Sequence, residues 1–249
     1  MKIVTQTDFD IPQYPKTENL FARDPETGIL ITEFRKPEFY AVDQWRVTEK
    51  INGMNIRIAF LPDGDVFIGG KTDRAQLPGK LMVYLTTQIA PLMERISWLR
   101  GPLDDPEHDP ECEPHPIILY GEGYGAGIQK GHGYNPEQRF CLFDVLYANQ
   151  WLDWEQMQKV ARILTVPLVP MLGVKSTERI CSLFSSPFAP NTNNSYVALS
   201  ENPSEPYDWE GIVAVAEPAL FNQYGERVKF KLKLKDIKKS EAVREMLYA

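Results

Sequence analysis

Short alternating segments dominate the hydrophobic pattern of the chain. In MNIRIAF, at 54–60, apolar residues occupy every second position, and Asn55 and Arg57 lie between them. A period of two is typical of a β-strand. The next residues, PDGD, predict a tight turn, and DVFIGG after them predicts the second strand of a hairpin. Further strands are predicted at WRVTE, PIILYGE, RFCLFDVLY, WEGIVAVA and RVKFKLKL.

Helical spacing appears in fewer segments. Between residues 79 and 99, leucine and isoleucine recur every three or four positions, and Pro91 predicts a break or a kink. A helix is predicted at 154–164 because Asp153 can cap it, with Gln156 three residues later. A shorter helix is predicted at residues 177–184.

The remaining long segments predict the organisation of the chain. The polar and proline-rich residues 185–209 read as a long surface loop and not as a domain linker, since strands expected in the same sheet follow them. The last stretch, DIKKSEAVREMLYA, predicts one closing helix. Together the segments predict an α+β fold, in a single domain of antiparallel β-sheets with flanking helices over residues 1–249.

Composition narrows the class of protein. The chain has 249 residues, 43% hydrophobic and 24% charged, which is ordinary for a globular protein. It contains no apolar run of the length that a membrane helix needs and no signal-peptide core at its start, so we expect an intracellular protein without a membrane partner. The three cysteines, Cys112, Cys141 and Cys181, are widely spaced, which indicates structural thiols rather than a disulfide framework or a zinc site.

Charge is unevenly distributed. The net charge of −7 argues against attraction of nucleic acid by the whole surface. However, residues 227–239 hold seven basic side chains and one acid, whereas residues 104–115 are acidic. The basic segment fits a local wall that binds a polyphosphate, and equally a solvated edge strand protected by lysines.

Lys50 is the candidate nucleophile. It stands in TEKINGMN, between the predicted strand WRVTE and the hairpin, with Gly53 three residues later. The spacing KxxG is not specific, because it occurs again at Lys130 in a glycine-rich loop. A lysine at the end of a strand, near a basic segment, is suited to nucleophilic attack because neighbouring cations favour its neutral amine.

Five segments in fixed order add to this interpretation: EKINGMN, GEGYG, FCLFDV, EGIV and RVKFKLK. With them the sequence resembles the covalent nucleotidyltransferase superfamily of RNA ligases, DNA ligases and mRNA capping enzymes. The segments are most similar to the phage-type RNA ligase 2 family. The resemblance extends over residues 45–235 and implies an adenylyltransferase domain with an ATP-grasp-like fold.

The resemblance implies a role for individual residues. Lys50 would accept AMP, Glu122 would bind the ribose, and Phe143 would stack on adenine. Glu210 would hold metal or phosphate, and Lys231 and Lys233 would bind the α-phosphate. The remaining nucleotide contacts would come from Glu49, Ile51, Asn55 and Arg74.

Three positions leave alternatives open. Lys71 competes with Arg74 for the same role. Lys229 and Lys235 would lie on the same face of the strand as Lys231 and Lys233, so alternation cannot choose among the four. Only the match to the family pattern favours Lys231 and Lys233. Val215 stands where the family often has a lysine, so either the step that this lysine assists is in doubt or Lys231 to Lys235 have taken over its charge.

The implied activity is ATP-dependent RNA ligation, as in RNA repair. The enzyme would form a lysyl-AMP intermediate with Mg²⁺ or Mn²⁺, transfer AMP to a 5′-phosphate end, and join this end to a 3′-hydroxyl. A DNA ligase core, an mRNA-capping guanylyltransferase and a catalytically idle nucleic-acid-binding module are the alternatives.

The last expectations concern domain organisation, location in the cell and contacts with RNA ends. Few residues follow Lys235, so we expect a minimal monomeric core without an appended OB or helical C-terminal domain. The phage-like motifs suggest a virus-encoded or bacterial protein in the cytoplasm. Lys130 and His132, in the glycine-rich loop, are candidates for contact with RNA ends.

Overall fold

The computed structural model describes residues 1–99, 115–129, 133–184, 195–203 and 207–248. The chain divides into two compact units. Unit 1 comprises Met1–Tyr14 and Asn52–Leu168, and unit 2 comprises Pro15–Ile51 and Val169–Ala249.

Unit 1 is built on a six-stranded sheet. Its strands are β1 (Ile3–Val4), β6 (Met54–Phe60), β7 (Val66–Gly70), β8 (Ile117–Tyr124), β9 (Arg139–Tyr147) and β10 (Gln150–Trp151). Their spatial order is β1-β7-β6-β8-β9-β10, and every pair is antiparallel except β1 with β7.

Unit 2 contains a five-stranded sheet and a small two-stranded sheet. The strands are β2 (Glu18–Asn19), β3 (Phe21–Arg23), β4 (Leu30–Phe34), β5 (Trp45–Lys50), β11 (Met171–Lys175), β12 (Gly211–Ala216) and β13 (Lys229–Lys233). The larger sheet has the order β11-β5-β12-β13-β2, with only β13 and β2 parallel, and β3 pairs with β4. The predicted α+β class with mainly antiparallel sheets is confirmed.

The hairpin predicted from MNIRIAF and DVFIGG forms as β6 and β7. Its turn is closed by the Leu61 amide, which donates to the Asp65 carbonyl at 2.9 Å. Both faces of β6 are buried, since Ile56 and Ile58 on one face and Arg57 and Ala59 on the other are fully inaccessible. The alternation therefore predicted the strand, although it did not show that the face of Arg57 is covered.

The helical segment of residues 79–99 is irregular, as Pro91 predicted. It begins as α1 (Gly79–Tyr84), continues as π-helix over Leu85–Ile89, and becomes 3-10 helix over Ala90–Leu99. Proline lacks an amide hydrogen and interrupts the α-helical bonding pattern, which accounts for the change near this residue. The buried side chains of the segment, including Leu81, Leu85 and Ile89, pack on the main core of unit 1.

The other two predicted helices form close to their expected bounds. Helix α2 (Trp154–Ile163) begins with the predicted capping box, in which the Asp153 side chain accepts from the Gln156 amide at 2.8 Å. Helix α3 (Thr177–Ser182) is capped by Ser176.

Two sequence predictions in unit 2 need correction. The segment of residues 185–209 contains helix α4 (Tyr196–Glu201), capped by Ser195, and is not loop throughout. The C-terminal stretch forms two helices, α5 (Leu234–Lys239) and α6 (Glu241–Tyr248), rather than one. They are separated at Ser240, whose buried hydroxyl donates to the Leu30 carbonyl at 2.7 Å and accepts from the Val243 amide.

None of the helices in the described parts of the chain is long and apolar enough to cross a membrane.

Candidate active site

Lys50 and Glu210 are brought together in unit 2 by the register of three strands. Gly211, at the start of β12, pairs with Lys50 on β5 and with Lys233 on β13. A side chain at Gly211 is excluded, since a Cβ atom there would lie 1.9 Å from the Leu232 carbonyl oxygen. Glu210, which directly precedes this glycine, is therefore placed between the two lysines.

The Glu210 carboxylate bridges both lysines. Lys50 Nζ donates to Glu210 Oε2 at 2.5 Å, and Lys233 Nζ donates to Oε1 at 2.6 Å. The three side chains are only 11–21% exposed. Burial by itself raises the pKa of Glu210, but the charges and hydrogen bonds of Lys50 and Lys233 outweigh it and hold this pKa below the ordinary value. Glu210 is thus an ionised carboxylate at the candidate nucleophile.

Lys231 adds a third cation to the same sheet. It lies on β13 opposite Val213, two residues before Lys233. Burial, followed by the nearby charges of Lys233 and Lys50, lowers the pKa of Lys231. A cation destabilised in this way gains from a bound anion, because the anion would offset both the repulsion and the lost hydration.

The structure distinguishes the four alternating lysines by their positions along β13 and beyond it. Lys233 contacts Glu210, and Lys231 lies close enough to Lys50 for their charges to interact. Lys229 is 7% exposed at the other end of β13, and Lys235 lies beyond the strand in α5. This placement favours the pair Lys231 and Lys233 that the sequence pattern selected.

Val215 has two basic cross-strand neighbours. It pairs with Arg46 on β5 and with Lys229 on β13. Arg46 in turn donates to Glu217 Oε2 at 3.1 Å. This part of the sheet therefore carries positive charge on both sides of Val215.

Glu49 is anchored to α4 through its carboxylate. The side chain is buried, with 1% of its surface exposed, and accepts from Ser195 Oγ at 2.5 Å and from the Tyr196 amide at 2.9 Å. Burial raises the pKa of Glu49, and these hydrogen bonds offset part of the rise. The carboxylate of Glu49 thus accepts hydrogen bonds from residues of unit 2. The side chain of Ile51 is also buried.

In unit 1, Asn55 and Glu122 are direct cross-strand neighbours on β6 and β8. Asn55 Oδ1 is buried and accepts no hydrogen bond within the described ranges. Gly53 lies next to this pair, and a Cβ atom there would approach the Gly123 carbonyl oxygen to 2.1 Å. This close approach explains why a glycine follows Lys50 by three residues.

Phe143 is displaced by a β-bulge. Tyr120 pairs with Asp144 and Gly121 pairs with Leu142, so Phe143 is the extra residue of β9. Its half-buried ring packs edge-on against Tyr14 with centroids 4.9 Å apart, and Tyr14 donates to Asp144 at 2.8 Å. The bulge therefore places Phe143 out of phase with Phe140 and Leu142 in FCLFDV.

The other predicted residues are less constrained. Arg74 and Lys71 are both exposed in the turn after β7, so exposure does not choose between them. Lys130 and His132 lie outside the described residues.

Sequence reasoning missed Ser195, Tyr14 and Arg57. Ser195 begins a helix in a segment that was predicted as loop, and a serine before an apolar run was the available signal. Tyr14 and Arg57 act through contacts with distant parts of the chain, for which the local pattern carries no signal.

Solved structures of other proteins share this fold. In solved structures the fold occurs in an RNA ligase of Naegleria gruberi without ligand, at 18% identity and a TM-score of 0.55, covering 92% of this chain and 64% of that chain. An archaeal ATP-dependent RNA ligase matches at 17% identity and a TM-score of 0.53, covering 91% and 49%. A Naegleria gruberi RNA ligase with ATP and Mn matches at 18% and 0.54, covering 97% and 64%.

At these identities the likeness establishes the fold alone. The model of the RNA ligase family matches residues 43–233, and the chain belongs to this family. It spans from about half to just under two thirds of the length of the solved ligases that it resembles. No curated protein sequence matches the chain.

Proposed function

We propose that the chain is an ATP-dependent RNA ligase that joins 5′-phosphate and 3′-hydroxyl ends through an AMP adduct on Lys50. The observation that carries the proposal is the arrangement of Lys50, Glu210 and Lys233, with Lys231 beside them. It supplies one amine for attack and two cations for phosphate oxygens. Membership of the RNA ligase family supports the choice of substrate.

The first step transfers AMP to the enzyme. After its ammonium proton is released to solvent, the Lys50 amine attacks the α-phosphorus of ATP. A P–N bond forms as the nitrogen loses a second proton to solvent, and the bond to the β-phosphate breaks with loss of pyrophosphate. The phosphate oxygens carry negative charge throughout, and Lys231 and Lys233 would stabilise that charge as it shifts. In unit 1, Glu122 would bind the ribose and Phe143 would stack on adenine, and Asn55 and Arg74 would add further contacts.

The second and third steps seal the strand. The 5′-phosphate of the donor end attacks the lysyl-AMP phosphorus, so that the P–N bond breaks and an adenylylated 5′ end forms. The 3′-hydroxyl of the acceptor end then displaces AMP, and a phosphodiester bond is made. Three displacements replace one condensation that has no good leaving group.

Glu210 would hold a divalent cation through oxygens that also accept from Lys50 and Lys233. Mg²⁺ in nucleotide-dependent enzymes is bound by one or two carboxylates together with substrate phosphates, and Glu210 is an ionised carboxylate beside the nucleophile. The cation would neutralise phosphate charge when bound. The Naegleria gruberi ligase solved with ATP and Mn supports this combination of substrate and metal.

The proposal also covers the domain, the oligomeric state, the location and the partner of the chain. Residues 1–249 would act as one adenylyltransferase domain, as a monomer in the cytoplasm, with RNA ends as the partner. Lys130 and His132 would contact those ends.

Incubation with α-labelled ATP and Mg²⁺ tests the proposal. Label should transfer to the wild-type protein and to Lys130→Ala, and should be lost in Lys50→Ala. Labelled GTP is run in parallel, because preferential labelling by GTP would identify a capping enzyme instead. A wild-type protein that takes no label from either nucleotide would support the idle binding module.

A further inference from the structure

Arg57 is a fully buried cation in unit 1, and the proposed function assigns it no role. It lies on β6 two residues after Asn55, and none of its surface is exposed. Arginine is rarely buried to this extent unless its donors are all used, because desolvation of the charge is costly. The partners of its guanidinium therefore indicate what it does.

The guanidinium connects three separate segments. Nε donates to the Gly70 carbonyl at 2.8 Å, Nη1 donates to the Ile11 carbonyl at 2.6 Å, and Nη2 donates to Asp73 Oδ1 at 2.6 Å. The planar group also lies over the Phe67 ring, with Cζ 5.6 Å from the centroid. A group held on all sides in this way has a fixed position.

Asp73 is the exposed end of this arrangement. Its side chain is 77% accessible, and it belongs to the turn Lys71–Arg74 that follows β7. The turn is also closed by the Ala75 amide, which donates to the Thr72 carbonyl at 3.0 Å. An exposed carboxylate that bonds a buried guanidinium ties the turn to the sheet.

The glycines before the turn make room for this contact. Gly69 pairs directly with Arg57 across β6 and β7, and a Cβ atom there would lie 2.7 Å from the Phe67 ring and 3.6 Å from Arg57 Nη2. At Gly70, a Cβ atom would lie 2.7 Å from the Ala75 Cβ atom. The sequence GGKTDR thus combines close packing with two exposed cations.

We propose that Arg57 is a positioning residue that acts through Asp73 to hold the turn Lys71–Arg74, and so presents Arg74 to the nucleotide. Arg57 cannot contact the nucleotide itself, because it is fully buried and each of its three guanidinium nitrogens donates to a partner within unit 1. The part of the proposal that concerns Arg74 rests on the proposed function. The part that concerns the turn does not.

Hydrogen exchange tests the turn independently of activity. In Asp73→Ala the amides of residues 70–75, above all Ala75, should exchange about tenfold faster than in the wild type, because a charge-assisted hydrogen bond is lost. Asp63→Ala is the matched control, since Asp63 is an exposed aspartate in the turn at the opposite end of β7. Unchanged exchange at 70–75 in Asp73→Ala overturns the proposal, whether or not the protein is a ligase.

A double-mutant cycle tests the link to Arg74. Asp73→Ala and Arg74→Ala should each raise the ATP concentration needed for labelling of Lys50, and the double variant should behave like Arg74→Ala alone. Additive effects would show that Asp73 does not act through Arg74, which contradicts the proposal. If the wild type takes no label, the proposed function fails, and the exchange result still decides the role of Asp73. Arg57→Lys keeps the charge but loses the planar fork, and should reproduce the faster exchange.

Discussion

Lys50 and Glu210 are 160 residues apart in sequence, and the two side chains meet with Nζ 2.5 Å from Oε2. The contact follows from the pairing of β5 with β12, in which Gly211 lies opposite Lys50. The same carboxylate contacts Lys233 through its second oxygen. Glu210 is therefore the residue that joins the two lysines of this cluster.

Replacement of Glu210 by Gln should destabilise the protein in a manner that depends on pH. The folded state holds the pKa of Glu210 below its ordinary value near 4.5, so the ionised group stabilises the fold above that pH, and this contribution disappears as the pH falls through the lowered pKa. We expect Glu210→Gln to cost about 1 to 3 kcal/mol at pH 7 and less with increasing acidity below pH 4.5. Urea unfolding at pH 7 and at successively lower pH measures the difference.

Glu178→Gln, an exposed residue of α3, is the matched control for Glu210→Gln. An equal loss of stability for Glu210→Gln at all pH values would show that the charge of Glu210 is not the cause.

Replacement of Ser195 by Ala should also cost less stability in acid, although the pKa of its partner Glu49 is raised rather than lowered. Burial raises the pKa of Glu49, so the ionised carboxylate disfavours folding, and the hydrogen bond from Ser195 offsets part of this cost. Because the Ser195 hydrogen bond favours the ionised carboxylate, its contribution to stability is present above the folded pKa of Glu49 and is lost as the pH falls through that pKa. Ser195→Ala should therefore cost about 1.5 to 3 kcal/mol at pH 7 and less at pH 4.

Ser200→Ala, in the same helix α4, serves as the control for Ser195→Ala, because its hydroxyl donates to the Val197 carbonyl within the helix and not to Glu49. Urea unfolding of both variants at the two pH values distinguishes them. A loss that is larger at pH 4 than at pH 7 would be inconsistent with an ionised Glu49 as the partner.

Replacement of Phe143 by Ala should weaken ATP binding. Stacking of a base on an aromatic ring is worth about 1 to 3 kcal/mol, so the ATP concentration for half-maximal labelling should rise roughly tenfold or more. Phe143→Tyr keeps the ring and should remain close to wild type. Phe140 cannot substitute as it stands, because it is fully buried against Gly121 in the core of unit 1. Unchanged ATP dependence in Phe143→Ala would exclude stacking by this residue.

Nicked duplexes should reveal the preferred polynucleotide. Two substrates are compared, one entirely DNA and one whose 3′-hydroxyl strand ends in two ribonucleotides, both with a pre-adenylylated 5′ end so that the first step cannot limit the rate. Because the 2′-hydroxyl is the group that distinguishes RNA from DNA, we expect faster sealing of the nick with the ribonucleotides. Equal or faster sealing of the all-DNA nick would favour the DNA ligase alternative.

The parts of the fold that sequence predicted are those set by local interactions. The β6–β7 hairpin follows from alternation and a turn, and the α2 capping box follows from residues three apart. The break between α5 and α6 was missed because Ser240 bonds to Leu30, 210 residues away in sequence. Helix α4 was missed for a similar reason, since its N-terminus is held by Glu49, 146 residues from Ser195.

The residues of the candidate site also differ in whether the sequence could predict them. Lys50, Glu210 and Lys233 could be selected from ordered motifs, and strand pairing then brings them together. Arg57 could not be selected, because a strand that alternates apolar and polar residues is usually exposed on its polar face, whereas β6 is covered on both faces. Burial of a polar face depends on segments such as Ile11 that are remote in sequence.

Mapping of the AMP adduct by mass spectrometry identifies the nucleophilic lysine. The wild-type protein is incubated with ATP and Mg²⁺, digested, and analysed by mass spectrometry for a peptide that carries AMP in acid-labile linkage, as expected of a phosphoramidate. We expect the modified peptide to contain TEKINGMN and fragmentation to place AMP on Lys50. AMP on another lysine, such as Lys130, with Lys50 unmodified, would contradict this expectation.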